Sequence, residues 1–174
     1  RLASGTELDA DIVVTATGLN MLPLGGAPLT VDGRAVHLPE TLTYKGMMLS
    51  DVPNMVFAIG YTNASWTLKC ELTCEYVCRL LNHMDEHGYS SATPQNRDPS
   101  VSPEPLIDFS SGYILRNIAD WPKQGSKAPW RLHQNYARDL VLLRFGAVDD
   151  EAMEFSNGQP SSSRTSASTR AAMS

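Results

Sequence analysis

The run Met55-Val56-Phe57-Ala58-Ile59 breaks at Gly60, passes through Tyr61-Thr62-Asn63-Ala64-Ser65, and opens at Trp66 into a long helical pattern. A short apolar run that does not alternate suits a strand buried on both faces of a parallel sheet, and such sheets bind ligands beyond the carboxyl ends of their strands. The junction therefore predicts an α/β fold with a ligand at the turn. A glycine there lets the backbone approach that ligand closely.

The helix is specified by its own spacing. Trp66, Cys70, Thr73, Cys74, Val77, Leu81 and Met84 recur at three-to-four intervals and predict one buried stripe, with Lys69, Glu71, Glu75, Arg79 and Glu86 mostly off it. His87 falls in the last turn and Gly88 is placed to close it in the left-handed conformation. Asn63 or Ser65 is the expected N-cap, and the remaining free N–H groups carry the positive end of the helix dipole. That end favours an electron-rich ligand group.

No metal site is expected. Cys70, Cys74 and Cys78 lie four apart on one helix, where thiols line a ridge instead of converging on an ion. An odd cysteine count fits reduced thiols packed as small hydrophobes, and one-turn spacing is poor disulfide geometry. His83 and His87 complement the negative end of the dipole. His133 is the better functional candidate of the four histidines, with a core or capping hydrogen bond as the alternative.

Elsewhere the signals are shorter. Ile12 to Thr15 is a β-branched strand pattern ended by Gly18, and Asp32-Gly33 between apolar flanks predicts a two-strand hairpin. Thr43-Tyr44-Lys45-Gly46-Met47-Met48 reads either as an ordinary loop with an edge strand or as the lead into a further strand, a choice its residues leave open. Four prolines predict an irregular surface connection over 90–105, followed by helices over 113–120 and 135–145, the second with a Tyr136, Leu140, Leu143 stripe and an end at Gly146. Trp121 and Trp130 bound a Lys-, Gly- and Pro-containing segment; such an aromatic either lines an apolar pocket or staples a loop to the core. From Ser156 the composition falls to Ser, Thr, Ala, Gly and Arg, which predicts disorder.

Net charge −5 without a basic patch argues against nucleic acid as a partner. No apolar run approaches the roughly twenty residues of a membrane span, and no signal segment is visible, so a soluble cytoplasmic protein is expected. A dinucleotide-binding half needs G-x-G-x-x-G between strand and helix, and none occurs here; Gly25-Gly26 is too short and leads into Pro28.

Three separated blocks resemble class B flavin-dependent monooxygenases of the Baeyer–Villiger type: Asp9 to Gly18, Val52 to Met84, and Pro122-Lys123-Gln124-Gly125 with Pro129 to Tyr136. The resemblance implies the C-terminal portion of a flavoprotein with two dinucleotide-binding domains. Residues 1–18 would end the nicotinamide-nucleotide domain, 19–155 would belong to the FAD and substrate domain, and 156–174 would be a disordered tail. It implies FAD and NADPH as cofactors, with Thr17, Gly18, Gly60, Tyr61, Thr62, Asn63 and Ser65 binding cofactor and Trp66 and Trp130 on the substrate side. It also implies a C4a-peroxyflavin that transfers oxygen from O2 to a ketone or to sulfur or nitrogen of a small organic substrate. The catalytic residues are expected upstream of Arg1, and the isolated chain is expected to be inactive and short of core. The competing reading is a non-catalytic fragment or a small α/β interaction module; a disulfide-reductase-type flavoprotein would want a redox cysteine pair or a catalytic His-Glu, and neither is found.

Overall fold

The computed structural model describes residues 1–107 and 116–157. Strands β1 (Thr30–Val31) and β2 (Arg34–Ala35) form the expected hairpin, with positive φ at both Asp32 (51°) and Gly33 (78°), as a type I′ turn requires. Strands β3 (Thr43–Tyr44) and β4 (Met48–Leu49) form a second hairpin turned at Lys45 and Gly46, again with positive φ. Helix α1 (Trp66–His87) follows, ending at a left-handed Gly88 whose N–H bonds back to Asp85 and Met84 carbonyls. Strand β5 (Ser91–Pro94) pairs with the last strand, and β6 (Pro103–Pro105) pairs with β7 (Lys123–Gly125), both antiparallel. Helix α2 (Tyr136–Phe145) and strand β8 (Met153–Ser156) complete the order.

The β3–β4 hairpin is the centre of the core. All of residues 41–50 are buried, and Tyr44, Met47 and Met48 pack with Leu72, Tyr76 and Leu80 of α1 and Leu143 of α2. Arg144 of α2 grips Glu75 of α1 through two hydrogen bonds, and Arg79 Nη1 donates to the Leu143 carbonyl at 2.8 Å, satisfying a group the helix end leaves unpaired. Asn135 caps α2 by accepting from the Arg138 N–H at 3.0 Å.

Several expectations need correction. The strands of the described residues form four antiparallel pairs, not a parallel sheet. Residues 55–59 form no strand; the Phe57 N–H donates to the Met47 carbonyl at 2.8 Å, and exposure alternates between exposed and half-buried. An apolar segment becomes a buried strand only with neighbours on its edges and faces, and among the described residues no strand pairs with this one. Residues 12–15 likewise form no strand, with Ile12 82% and Val14 83% exposed. The proline-rich 90–105 stretch supplies two strands with buried Ala92 and Val101, because two-stranded ladders are all edge and tolerate proline. Residues 113–115 of the expected 113–120 helix lie outside the described residues, and its described end is a 3-10 turn, Ile118–Asp120. Ser156 belongs to β8, paired with Ser91, rather than to a disordered tail; the rest of that expectation, 158–174, lies outside the described residues.

Helix α1 departs most instructively. Its buried residues are Lys69, Leu72, Thr73, Tyr76, Leu80 and Met84. The expected stripe shares only Thr73 and Met84 with that face; Trp66 (59%), Cys74 and Leu81 (53%) of it are exposed, as is Cys78. The helix has two faces of comparable apolar character, and the one carrying tyrosines and a lysine is the one the core takes.

Candidate functional site

The segment 60–65 sits between the extended run and α1, and every strong contact that holds it comes from α1 or from residues 134–139. Gly60 is buried, and a Cβ there would fall 2.2 Å from Trp66 Cγ and 2.5 Å from Trp66 Cα. The close approach that demands glycine is thus made by the chain's own tryptophan, whose ring folds over the turn. The Tyr61 hydroxyl donates to Asp139 Oδ2 at 2.8 Å, and burial pushes this phenol well above its usual range. Lys69 Nζ meets the same oxygen at 2.8 Å, with side chains 4% and 5% exposed for Lys69 and Asp139. A buried charge pair of this kind is costly to break because either partner alone would be stranded.

Beyond Tyr61 the segment turns outward, and Thr62, Asn63, Ala64, Ser65 and Trp66 are exposed. The Thr62 N–H and Oγ1–H both donate to Gln134 Oε1, at 3.0 and 3.2 Å, and the Asn63 amide donates to the Gln134 carbonyl at 3.0 Å. Asn63 is therefore not the cap of α1. Ser65 occupies the N-cap position, but its hydroxyl bonds Thr67 Oγ1 at 2.7 Å and makes no capping bond. No acidic residue lies in the first turn. The start of a 22-residue helix is left with uncapped N–H groups and its full positive dipole end, beside an exposed indole. That arrangement can hold an electron-rich planar group.

A groove of about 450 Å³ opens beside Thr62 and Gln134, bounded also by Glu104, Leu106, Arg131 and Leu132. Arg131 Nη1 stands on its rim, 3.4 Å from Glu104 Oε2. His133 is half-buried, with Nε2 enclosed and without a hydrogen-bond partner among the described residues; burial, then Arg138, lowers its pKa below the ordinary histidine value.

Not all the residues singled out by sequence converge. Thr17 and Gly18 lie in the exposed N-terminal stretch, where the Thr17 carbonyl accepts from Arg116 at 3.1 Å. Trp130 is 2% exposed, edge-to-face with Tyr44 at 5.7 Å, and its carbonyl accepts the Gly125 N–H at 2.9 Å. Its packing is that of a staple between loop and core. Among the described residues no group of three His, Cys, Asp or Glu is placed to hold a metal ion.

Sequence reasoning missed a second buried network. Lys45 Nζ bonds Asp150 Oδ2 (2.9 Å), the Tyr76 hydroxyl (3.2 Å) and the Ala147 carbonyl (3.0 Å), while the Tyr44 hydroxyl donates to Asp150 at 2.8 Å. Burial depresses the Lys45 ammonium and raises the Tyr44 and Tyr76 phenols. The one local signal was a lysine at the turn position of an otherwise uncharged hairpin. Asp139 and Gln134 gave none, since their partners lie some seventy residues away.

No family model matches the chain, and no solved structure does. Curated relatives do. The FAD-containing monooxygenase EthA of Mycobacterium tuberculosis is 53% identical over 155 residues, 89% of this chain and 32% of the relative. EthA of Mycolicibacterium smegmatis is 51% identical over 166 residues, 95% of this chain and 34% of the relative. The "Probable FAD-binding monooxygenase AlmA" of Acinetobacter baylyi is 44% identical over 156 residues, 89% and 31%. The chain spans about a third of the length of these relatives, and over that third it is 44–53% identical to proteins named as FAD-containing or FAD-binding monooxygenases.

Proposed function

We propose that the chain is the C-terminal part of an FAD- and NADPH-dependent monooxygenase that inserts one oxygen atom from O2 into ketones, or adds it to sulfur or nitrogen of small organic substrates. The observation that carries the flavin's position is the start of α1, uncapped, free of acidic residues in its first turn and flanked by exposed Trp66. In this reading the 1–18 segment ends the nicotinamide-nucleotide domain and 19–155 completes the FAD domain. Residues Gly60, Tyr61, Thr62, Asn63 and Ser65 lie along the flavin, Thr17 and Gly18 at the chain's return to it, and Trp66 faces the substrate side. For Trp130 the packing supports a structural role. When bound, the flavin supplies the redox chemistry, accepting electrons from NADPH and activating O2. This chain's residues bind and orient it: N–H groups and the helix dipole favour the charge that reduction places on the flavin, by roughly 1 kcal/mol. In this reading the protein works in the cytoplasm.

The exposed Ile12, Val13 and Val14 and the exposed face of α1 fit strands and a helix that complete their packing in a longer flavoprotein. The test is to purify the longer protein containing this chain beside the 174-residue chain itself. The longer protein should be yellow, and should oxidise NADPH faster when a ketone or sulfide is supplied; the isolated chain should do neither. A longer protein that neither carries nor takes up FAD would overturn the reading, and turnover by the isolated chain would overturn the placement of catalysis outside it.

A further inference from the structure

We propose that Gln134 is the positioning residue of the flavin-side loop, an inference that rests on the reading above. The loop 62–65 has no regular structure and is solvent-exposed, yet it must present backbone atoms to a rigid ring system with little latitude. Its position is defined from one side. Gln134 Oε1 accepts two hydrogen bonds, from the Thr62 N–H and Oγ1–H, and the Gln134 carbonyl accepts a third from Asn63.

The residue is itself held in an unusual state. Its φ of 49° is left-handed, a conformation that a glutamine rarely adopts and that persists only where surrounding structure imposes it. That structure is present on both sides. Leu132 N–H donates to Gln124 Oε1 at 3.0 Å before it, and Asn135 caps α2 directly after it. Four residues beyond the cap, Asp139 binds Tyr61 and Lys69, so α2 fixes the root of the loop while Gln134 fixes its tip. Gln134 also lines the groove shared with Thr62, Leu106 and Arg131, so one side chain sets the loop against that groove. It acts on the flavin through Thr62 and Asn63, not by touching it.

The experiment compares two variants in the full-length flavoprotein. Gln134→Met keeps length and removes the acceptor; Gln134→Glu keeps an oxygen that accepts from both Thr62 donors. FAD dissociation constants are measured by titrating apoprotein, together with the thermal transition of the apoprotein. The expected result is FAD binding about tenfold weaker in Gln134→Met, recovery to within about threefold in Gln134→Glu, and an unmoved apoprotein transition. Unchanged FAD affinity in Gln134→Met would overturn the proposal. So would equal loss in both variants with a lowered transition, which would assign Gln134 to general stability. An unsubstituted protein that binds no FAD is a separate outcome, seen before any variant is made, and overturns the functional reading together with this inference.

Discussion

Residues 1–20 and residues 41–50 are both rich in β-branched and apolar side chains, yet every residue of the first stretch is exposed and every residue of the second is buried. The hairpin β3–β4 finds α1, α2 and Trp130 around it, whereas Ile12, Val13 and Val14 stay exposed among the described residues. Helix α1 repeats the contrast within one element, burying Lys69 and Tyr76 while exposing Trp66 and Leu81. Apolar character gives a segment the capacity for burial. The neighbours decide whether it is used.

The largest expected effect breaks the contrast on its buried side. Asp139→Ala strands Lys69 and the Tyr61 hydroxyl in a buried site and should cost roughly 3–5 kcal/mol in denaturant unfolding. A loss under about 1 kcal/mol would mean that water reaches the pair. Next, Leu72→Ala on the covered face of α1 should cost about 2–5 kcal/mol, against no more than about 0.5 kcal/mol for Leu81→Ala on the open face. In the longer flavoprotein proposed above the Leu81→Ala cost should rise toward the Leu72→Ala value, and equal small costs in both proteins would show that the open face stays open.

The alkaline limb sharpens the account of the buried tyrosines. Tyr44, Tyr76 and Tyr61 have phenols raised above the ordinary value, chiefly by burial. Above about pH 10 the unfolded chain releases these protons and the folded chain keeps them, so stability is present below that pH and falls as pH rises through it. Lys45 works in the opposite direction below its ordinary value of about 10.4, since its lowered pKa leaves the unfolded state holding the extra proton. Tyr44→Phe should flatten the alkaline slope of the denaturation midpoint; an unchanged slope would remove Tyr44 from this assignment. Smallest is Gly33→Ala, which places a side chain at φ 78° with open space around it and should cost about 1 kcal/mol through backbone conformation alone.

Much of the local structure was legible. The Asp32-Gly33 hairpin, the α1 terminus at Gly88 and the α2 span with its Asn135 start follow from turn and cap chemistry, which acts over a few residues. The 60–66 junction was also legible as a place where backbone must come close to something. That its nearest neighbour is Trp66 of the same chain was not, because ring placement depends on the packing of the whole turn.

The sequence by itself determined the spans of α1 and α2 and the Asp32-Gly33 turn, the absence of a phosphate-cradling glycine motif, and the similarity to FAD-containing monooxygenases carried by three spaced blocks. The tertiary structure alone decided which face of α1 is buried, that Lys45 and Lys69 lie inside with carboxylate partners, and that Gln134 and Asp139 hold the 60–65 loop. The physical reason is range. Backbone propensity and capping are settled among neighbours in the chain, whereas burial, charge pairing and the choice between two apolar faces depend on segments brought together from seventy to more than a hundred residues apart.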